Sequence, residues 1–117
     1  MNINYRLKRI IIFTPNVPLL IGFYSDLIGE EETYIDADGK WGEIISGRVN
    51  IAFHHSKKHL TDEMKFKIVF YSDDVEATRK ELLLGGFKPG KIIKSNELMF
   101  CNLKDPDGNV LQFSNRK

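Results

Sequence analysis

The sequence predicts an α+β fold made of two tandem βαβββ modules, and three observations carry that prediction. A strand-to-helix passage occurs twice, and three short β-like runs follow each helix. Two unrelated landmarks agree on the offset between the copies: Arg9 to Lys67 and Val17 to Val75 each span 58 positions.

The first strand is read over 8–13, Lys-Arg-Ile-Ile-Ile-Phe, ending at Thr14-Pro15-Asn16. A helix then runs from Val17 to Ile28. Pro18 suits its first turn, Leu20, Phe23, Tyr24 and Leu27 recur at helical spacing, and Gly29 suits a left-handed stop. Three β-like runs follow at about 31–37, 41–46 and 49–55, split by Asp38-Gly39 and Ser46-Gly47.

The second copy opens with 66–71, Phe-Lys-Ile-Val-Phe-Tyr. Ser72-Asp73-Asp74 then starts a helix with Glu76 in its first turn, a Glu76→Lys80 pair and Gly85-Gly86 at its end. Its three runs fall at about 87–94, 97–104 and 109–114, split by Ser95-Asn96 and by Asp105-Pro106-Asp107-Gly108-Asn109. Neither half could bury a sheet alone. The expected organisation is therefore one domain over 1–117, with module 1 at about 5–55, a polar linker at about 56–63 and module 2 at about 64–115.

Composition narrows the function classes. The chain of 117 residues is long enough for a core without staples, and Cys101 is its only cysteine, so a reducing cytoplasm is expected. Lys and Arg total 17 against 16 acidic residues, a net charge of +1 that argues against a nucleic-acid partner. The apolar run Ile10 to Phe13 is too short for a membrane span, so no membrane partner is expected either.

Phe23-Tyr24-Ser25-Asp26-Leu27-Ile28-Gly29 after strand one, Asp73-Asp74-Val75 after strand five and Asp105-Pro106-Asp107-Gly108-Asn109-Val110 before the last strand together resemble the vicinal oxygen chelate superfamily. That group includes glyoxalase I, the bleomycin and fosfomycin resistance proteins and extradiol dioxygenases. The resemblance covers essentially the whole chain. It implies two modules whose mixed sheets curl into a cup, and a homodimer that completes or covers the pocket. Metal-dependent members hold a divalent ion with His or Glu on the first and last strands of each module, and the ion acts as a Lewis acid toward two neighbouring substrate oxygens.

Carried onto this sequence, those positions fall on Arg9, Ile51, Lys67 and Gln112. Cationic and aliphatic side chains are not ligands, and an amide oxygen is a weak one. A one-residue slip substitutes Lys8 or Ile10, Asn50 or Ala52, Phe66 or Ile68, and Leu111 or Phe113, which still gives no set of three ligands. Neither a metal nor another cofactor is expected. His54-His55 with His59 and Glu63 is the other candidate cluster. Adjacent strand residues point to opposite faces, and His59 lies in the linker, so a solvated linker is the preferred reading.

Alternation places Arg9, Ile11 and Phe13 on one face of strand one and Lys67, Val69 and Tyr71 on one face of strand five. Strands four and eight are expected to add Val49, Ile51, Phe53, His55, Val110, Gln112 and Ser114, and Trp41 lines the pocket or belongs to the core. The candidate ligand-binding residues are therefore Arg9, Ile51, Phe53, His55, Lys67, Tyr71 and Gln112, a mostly apolar set suited to a small amphipathic or aromatic ligand. Arg9 and Lys67 are equivalent under the repeat: either they converge on an anionic ligand, or both snorkel into water.

The expected function is a metal-independent binder of a small organic molecule, like the bleomycin resistance proteins. No catalytic residue is assigned, because the proton-moving groups Tyr71, His55 and Lys67 each have a structural explanation. The alternative is a metal-dependent lyase, isomerase or dioxygenase of the same superfamily. A regulatory, protein-docking module is a third class, without a recognisable patch to support it.

Overall fold

A computed structural model of the chain describes residues 6–57 and 67–117. Its order of elements is the predicted one: β1 (Arg9–Thr14), α1 (Val17–Ile28), β2 (Thr33–Ile35), β3 (Trp41–Ile44) and β4 (Asn50–His55), then β5 (Ile68–Tyr71), α2 (Val75–Leu84), β6 (Ile93–Ser95), β7 (Leu98–Lys104) and β8 (Val110–Ser114). The chain divides into two compact units, Met1–Leu60 and Thr61–Lys117, each carrying one βαβββ module.

In the first unit the strand order is β1-β4-β3-β2, with β1 and β4 parallel and the other neighbours antiparallel. The parallel pair is possible because α1 carries the chain back along one face of the sheet. Asn16 starts that helix: its Oδ1 accepts from the Leu19 N–H at 3.2 Å, and Gly29 ends it at φ 70°. The stripe pressed on the sheet is Val17, Leu20, Ile21 and Tyr24, so Phe23 and Leu27 sit at its flank, not its centre as the spacing suggested. Gly42 on β3 lies directly below. A Cβ there would meet Ile21 and Val17 side-chain atoms at 3.0 Å, so the glycine lets the helix rest close on the sheet without those side chains giving way.

The second unit repeats the order as β5-β8-β7-β6 with the same parallel pair, β5 and β8. Asp74 caps α2 by accepting from the Ala77 N–H at 3.0 Å. Under this helix lie Leu111, Phe113, Cys101 and Leu103, with Phe113 stacked on its register partner Phe70 at 5.2 Å. The turns fall where predicted: Asn96 has φ 56° between β6 and β7, and Asp105 Oδ1 accepts from the backbone of Asp107 and Asn109 before β8.

Two local expectations need correction. The run predicted at 87–94 is strand only over Ile93–Ser95, because Pro89 has no N–H to donate; ahead of it the Gly90 N–H bonds to the Asn102 carbonyl at 2.8 Å. Glu76 pairs with Lys94 on β6 at 3.7 Å, and not with Lys80 one turn along the helix. The predicted linker 56–63, with His59 and Glu63, lies outside the described residues apart from Ser56 and Lys57. Among the described residues no helix is long and apolar enough to cross a membrane.

Candidate functional site

The face of the first sheet opposite α1 carries three rows of side chains that include polar and aromatic groups. In-register neighbours point to the same side of a sheet. Arg9 pairs with Asn50 in the first row; Ile11, Ala52, Glu43 and Tyr34 form the second; Phe13, His54 and Trp41 form the third. The opposite face carries Ile10, Ile12, Ile44, Ile51 and Phe53 toward α1, and Phe53 meets Tyr24 of that helix at a ring separation of 5.3 Å.

This register corrects the expected orientation of strand four by one residue. Ile51 and Phe53 are buried on the helix side, and His55, paired with Thr14, shares their parity. The residues beside Arg9, Ile11 and Phe13 are instead Asn50, Ala52 and His54. The orientation of strand one agrees with the expectation, with Ile12 and Thr14 buried and Ile11 and Phe13 exposed.

The first two rows share a charged network. Arg9 Nε donates to Glu43 Oε2 at 3.1 Å, and Asn50 Nδ2 donates to the same oxygen at 2.7 Å. Glu43 is only 7% exposed and Asn50 only 4%, so a carboxylate is held inside the sheet surface by two donors. Burial alone would raise the Glu43 pKa; the Asn50 amide and the Arg9 guanidinium outweigh it and hold the carboxyl below its ordinary value of 4.5. Asn50 is positioned in turn by the β3-β4 turn, where its Oδ1 accepts from the Ser46 N–H. No buried side-chain polar atom among the described residues lacks a partner.

The third row is aromatic. His54 lies between Phe13 and Trp41, with its ring centroid 5.7 Å from each. Phe13 is 48% exposed, so the row offers apolar ring surface at the face.

In the second unit, Lys67 immediately precedes β5 and is exposed, as is Tyr71. Val69 pairs with Gln112 and Tyr71 with Ser114, which agrees with the expected parity of strands five and eight. Gln112 also lies beside Asn102 of β7, its Nε2 3.5 Å from Asn102 Oδ1. Under the repeat this amide pair occupies the place of Ala52 and Glu43.

The positions that the resemblance assigns to metal ligands hold Arg9 and, in the observed register of strand four, Ala52 in the first unit, and Lys67 and Gln112 in the second. These residues do not fit a divalent ion. Among the described residues no three His, Cys, Asp or Glu side chains group as metal ligands. The Glu43 carboxylate is already occupied by Arg9 and Asn50, and the Asp36 carboxylate accepts from the Trp41 N–H at 3.2 Å.

Glu43 was not singled out from the sequence, and Asn50 and His54 were weighed there only as metal ligands. One signal for Glu43 was present: it is a lone charge between Gly42 and Ile44 in a short strand, with the parity of Trp41.

Paired βαβββ modules with a parallel first and last strand define a class of α+β protein, and the fold is that of the vicinal oxygen chelate superfamily. Similar solved structures include lactoylglutathione lyase from Agrobacterium tumefaciens, at TM-score 0.71 and 14% identity over 93% of this chain and 92% of that one. A protein of Bacillus anthracis ascribed to the glyoxalase family matches at TM-score 0.73 and 18% identity, over 100% and 99% of the two chains. The oxidase ChaP-H2 matches at TM-score 0.71 and 18% identity, over 98% and 96%. At such identities the likeness is one of fold, and the names attached to it span unlike chemistries. No family model and no curated protein matches the sequence.

Proposed function

We propose that this protein binds a small organic molecule without a metal ion, using the face of the first sheet opposite α1. The observation that carries the reading is the composition of that face. At the positions that the resemblance assigns to metal ligands it has Arg9 and Ala52, and one row away it presents Phe13, His54 and Trp41 as ring surface. Apolar and aromatic area supplies affinity for a planar ligand, and the few fixed polar groups supply orientation. A stoichiometric binder is the reading we favour over an enzyme: Glu43 is engaged by two donors and not free to take a proton, and the His54 ring is set between Phe13 and Trp41 as part of the aromatic surface. The same reading takes the protein as a cytoplasmic homodimer, which light scattering of purified protein checks for the oligomer.

Elemental analysis of protein purified without chelator tests the metal-independent part, with substoichiometric transition metal as the expected result. One zinc, iron, manganese or nickel per chain would overturn it in favour of a metal-dependent lyase, isomerase or dioxygenase. Trp41 is the only tryptophan, so its single indole N–H resonance reports ligand arrival at the aromatic row.

A further inference from the structure

We propose that the ligand presents an uncharged oxygen acceptor to Arg9, as a carbonyl or carboxamide on an aromatic ring, in preference to a carboxylate. This inference rests on the binding reading above and names the ligand class for the same face.

The sequence leaves Arg9 as an unmatched cation that could attract an anion. The structure places its counter-charge beside it: Arg9 Nε bonds to Glu43 Oε2 at 3.1 Å. Glu43 cannot swing away, because it is 7% exposed and the same oxygen takes Asn50 Nδ2 at 2.7 Å. It also stays ionised at neutral pH, since Asn50 and Arg9 together outweigh its burial. The pair therefore presents no net charge to an incoming molecule.

Hydrogen-bonding capacity remains nonetheless. A guanidinium carries five N–H donors, and Glu43 engages the Nε–H. The Arg9 side chain is 40% exposed, so the remaining donors are open to an acceptor. A ligand carboxylate about 4 Å from the guanidinium centre would lie about 7 Å from the Glu43 carboxylate, and with Coulomb energy falling as 1/r more than half of the attraction would be cancelled. Its desolvation would remain to be offset. A carbonyl oxygen accepts the same charge-assisted bond with little desolvation and no such repulsion.

Spacing favours the same class. The Glu43 row and the aromatic row are one two-residue step apart, roughly 7 Å along the strands. Ala52 lies in the Glu43 row between Ile11 and Glu43 and is fully buried, so a ligand would rest on the side chains around it and not on the strand itself. A flat bicyclic amide could set its rings by Trp41 and Phe13 and its oxygen on Arg9.

The test is a titration of the whole chain at pH 7 with 2-naphthamide and 2-naphthoate, read at the Trp41 indole N–H resonance. The amide is expected to bind at least threefold more tightly. In Glu43→Gln, which keeps an acceptor for Asn50 and removes the counter-charge, the preference is expected to swing at least tenfold toward the carboxylate. In Arg9→Met the amide is expected to lose about tenfold. Tighter binding of 2-naphthoate to the unaltered protein overturns this inference and leaves the binding reading standing, as does an unchanged preference in a folded Glu43→Gln. If neither compound moves the Trp41 resonance, the binding reading falls and this inference with it.

Discussion

Arg9 and Glu43 lie on β1 and β3, and their 3.1 Å contact crosses β4, the strand between them. Asn50 of β4 donates to the same carboxylate oxygen, so one atom ties three strands together. Removing Arg9 weakens a half-exposed pair and is expected to cost about 0.5–1 kcal/mol. Glu43→Ala strips the buried Asn50 amide of its acceptor and is expected to cost about 1–3 kcal/mol. Urea unfolding of the two single variants and the double variant, analysed as a cycle, checks both values and the coupling between them.

The same network sets a pH dependence. Burial pushes the Glu43 carboxyl upward, but the Asn50 amide and Arg9 bring its folded-state pKa below 4.5. A lowered carboxylate pKa means the unfolded chain binds the proton more readily, so this stabilisation is full above 4.5 and is lost as pH falls through the lowered value. Unfolding free energy measured between pH 6 and pH 3 is expected to fall more steeply in the unaltered protein than in Glu43→Gln. Equal slopes would mean that Glu43 titrates alike in both states.

Strand four shows why the fold was more legible than the face. Order, turns and helix caps follow from local chemistry: Asp-Gly and Asn turns, Pro18, Gly29 and the offset of 58 are all local or additive signals. Parity needs alternation in exposure, and Asn50-Ile51-Ala52-Phe53 is buried on both faces, so the polar residue of the site face, Asn50, is as buried as the core residues beside it. Assigning the larger apolar residues, Ile51 and Phe53, to a pocket took from the core what α1 covers. Strands one and five were read correctly because their exposure alternates in the structure. The Arg9–Glu43 bond joins residues 34 positions apart on non-adjacent strands, and only the sheet order brings them together.

Asp105 organises the turn before β8. Its Oδ1 accepts from the Asp107 N–H at 2.9 Å and the Asn109 N–H at 2.8 Å, and its Oδ2 accepts from Asn109 Nδ2 at 2.7 Å. The residue is 4% exposed, so Asp105→Ala is expected to leave several donors unmatched and to cost about 2 kcal/mol, with Asp105→Asn milder. Thermal unfolding of the two variants checks the ranking. Comparable losses would mean that the negative charge matters more than the hydrogen-bond count.

Cys101 is fully buried beneath α2, and burial pushes its thiol pKa up, against the opposing charge of Arg79. The thiolate is the reactive form, so native protein at pH 8 is expected to resist a thiol reagent and to react completely once unfolded in urea. Labelling kinetics across the urea range should track the unfolded fraction. Rapid labelling without denaturant would mean that α2 lifts readily from the sheet.

Two glycines of the first unit should respond in opposite directions to the same substitution. Gly42 sits where α1 rests on β3, and a methyl group there would meet Val17 and Ile21, both buried, at 3.0 Å. Gly42→Ala must push the helix outward or force these side chains off their rotamers, at a cost of about 1–3 kcal/mol. Gly22 lies inside α1, and a methyl group at its Cα would have nothing within 4 Å, so Gly22→Ala removes backbone freedom from the unfolded chain without a clash. It is expected to stabilise by roughly 0.5–1 kcal/mol. Melting temperatures of the two variants should therefore lie on either side of the unaltered protein. A destabilised Gly22→Ala would place an unrecognised close contact on the outer side of α1, whereas a neutral Gly42→Ala would mean that the helix is free to shift on its sheet.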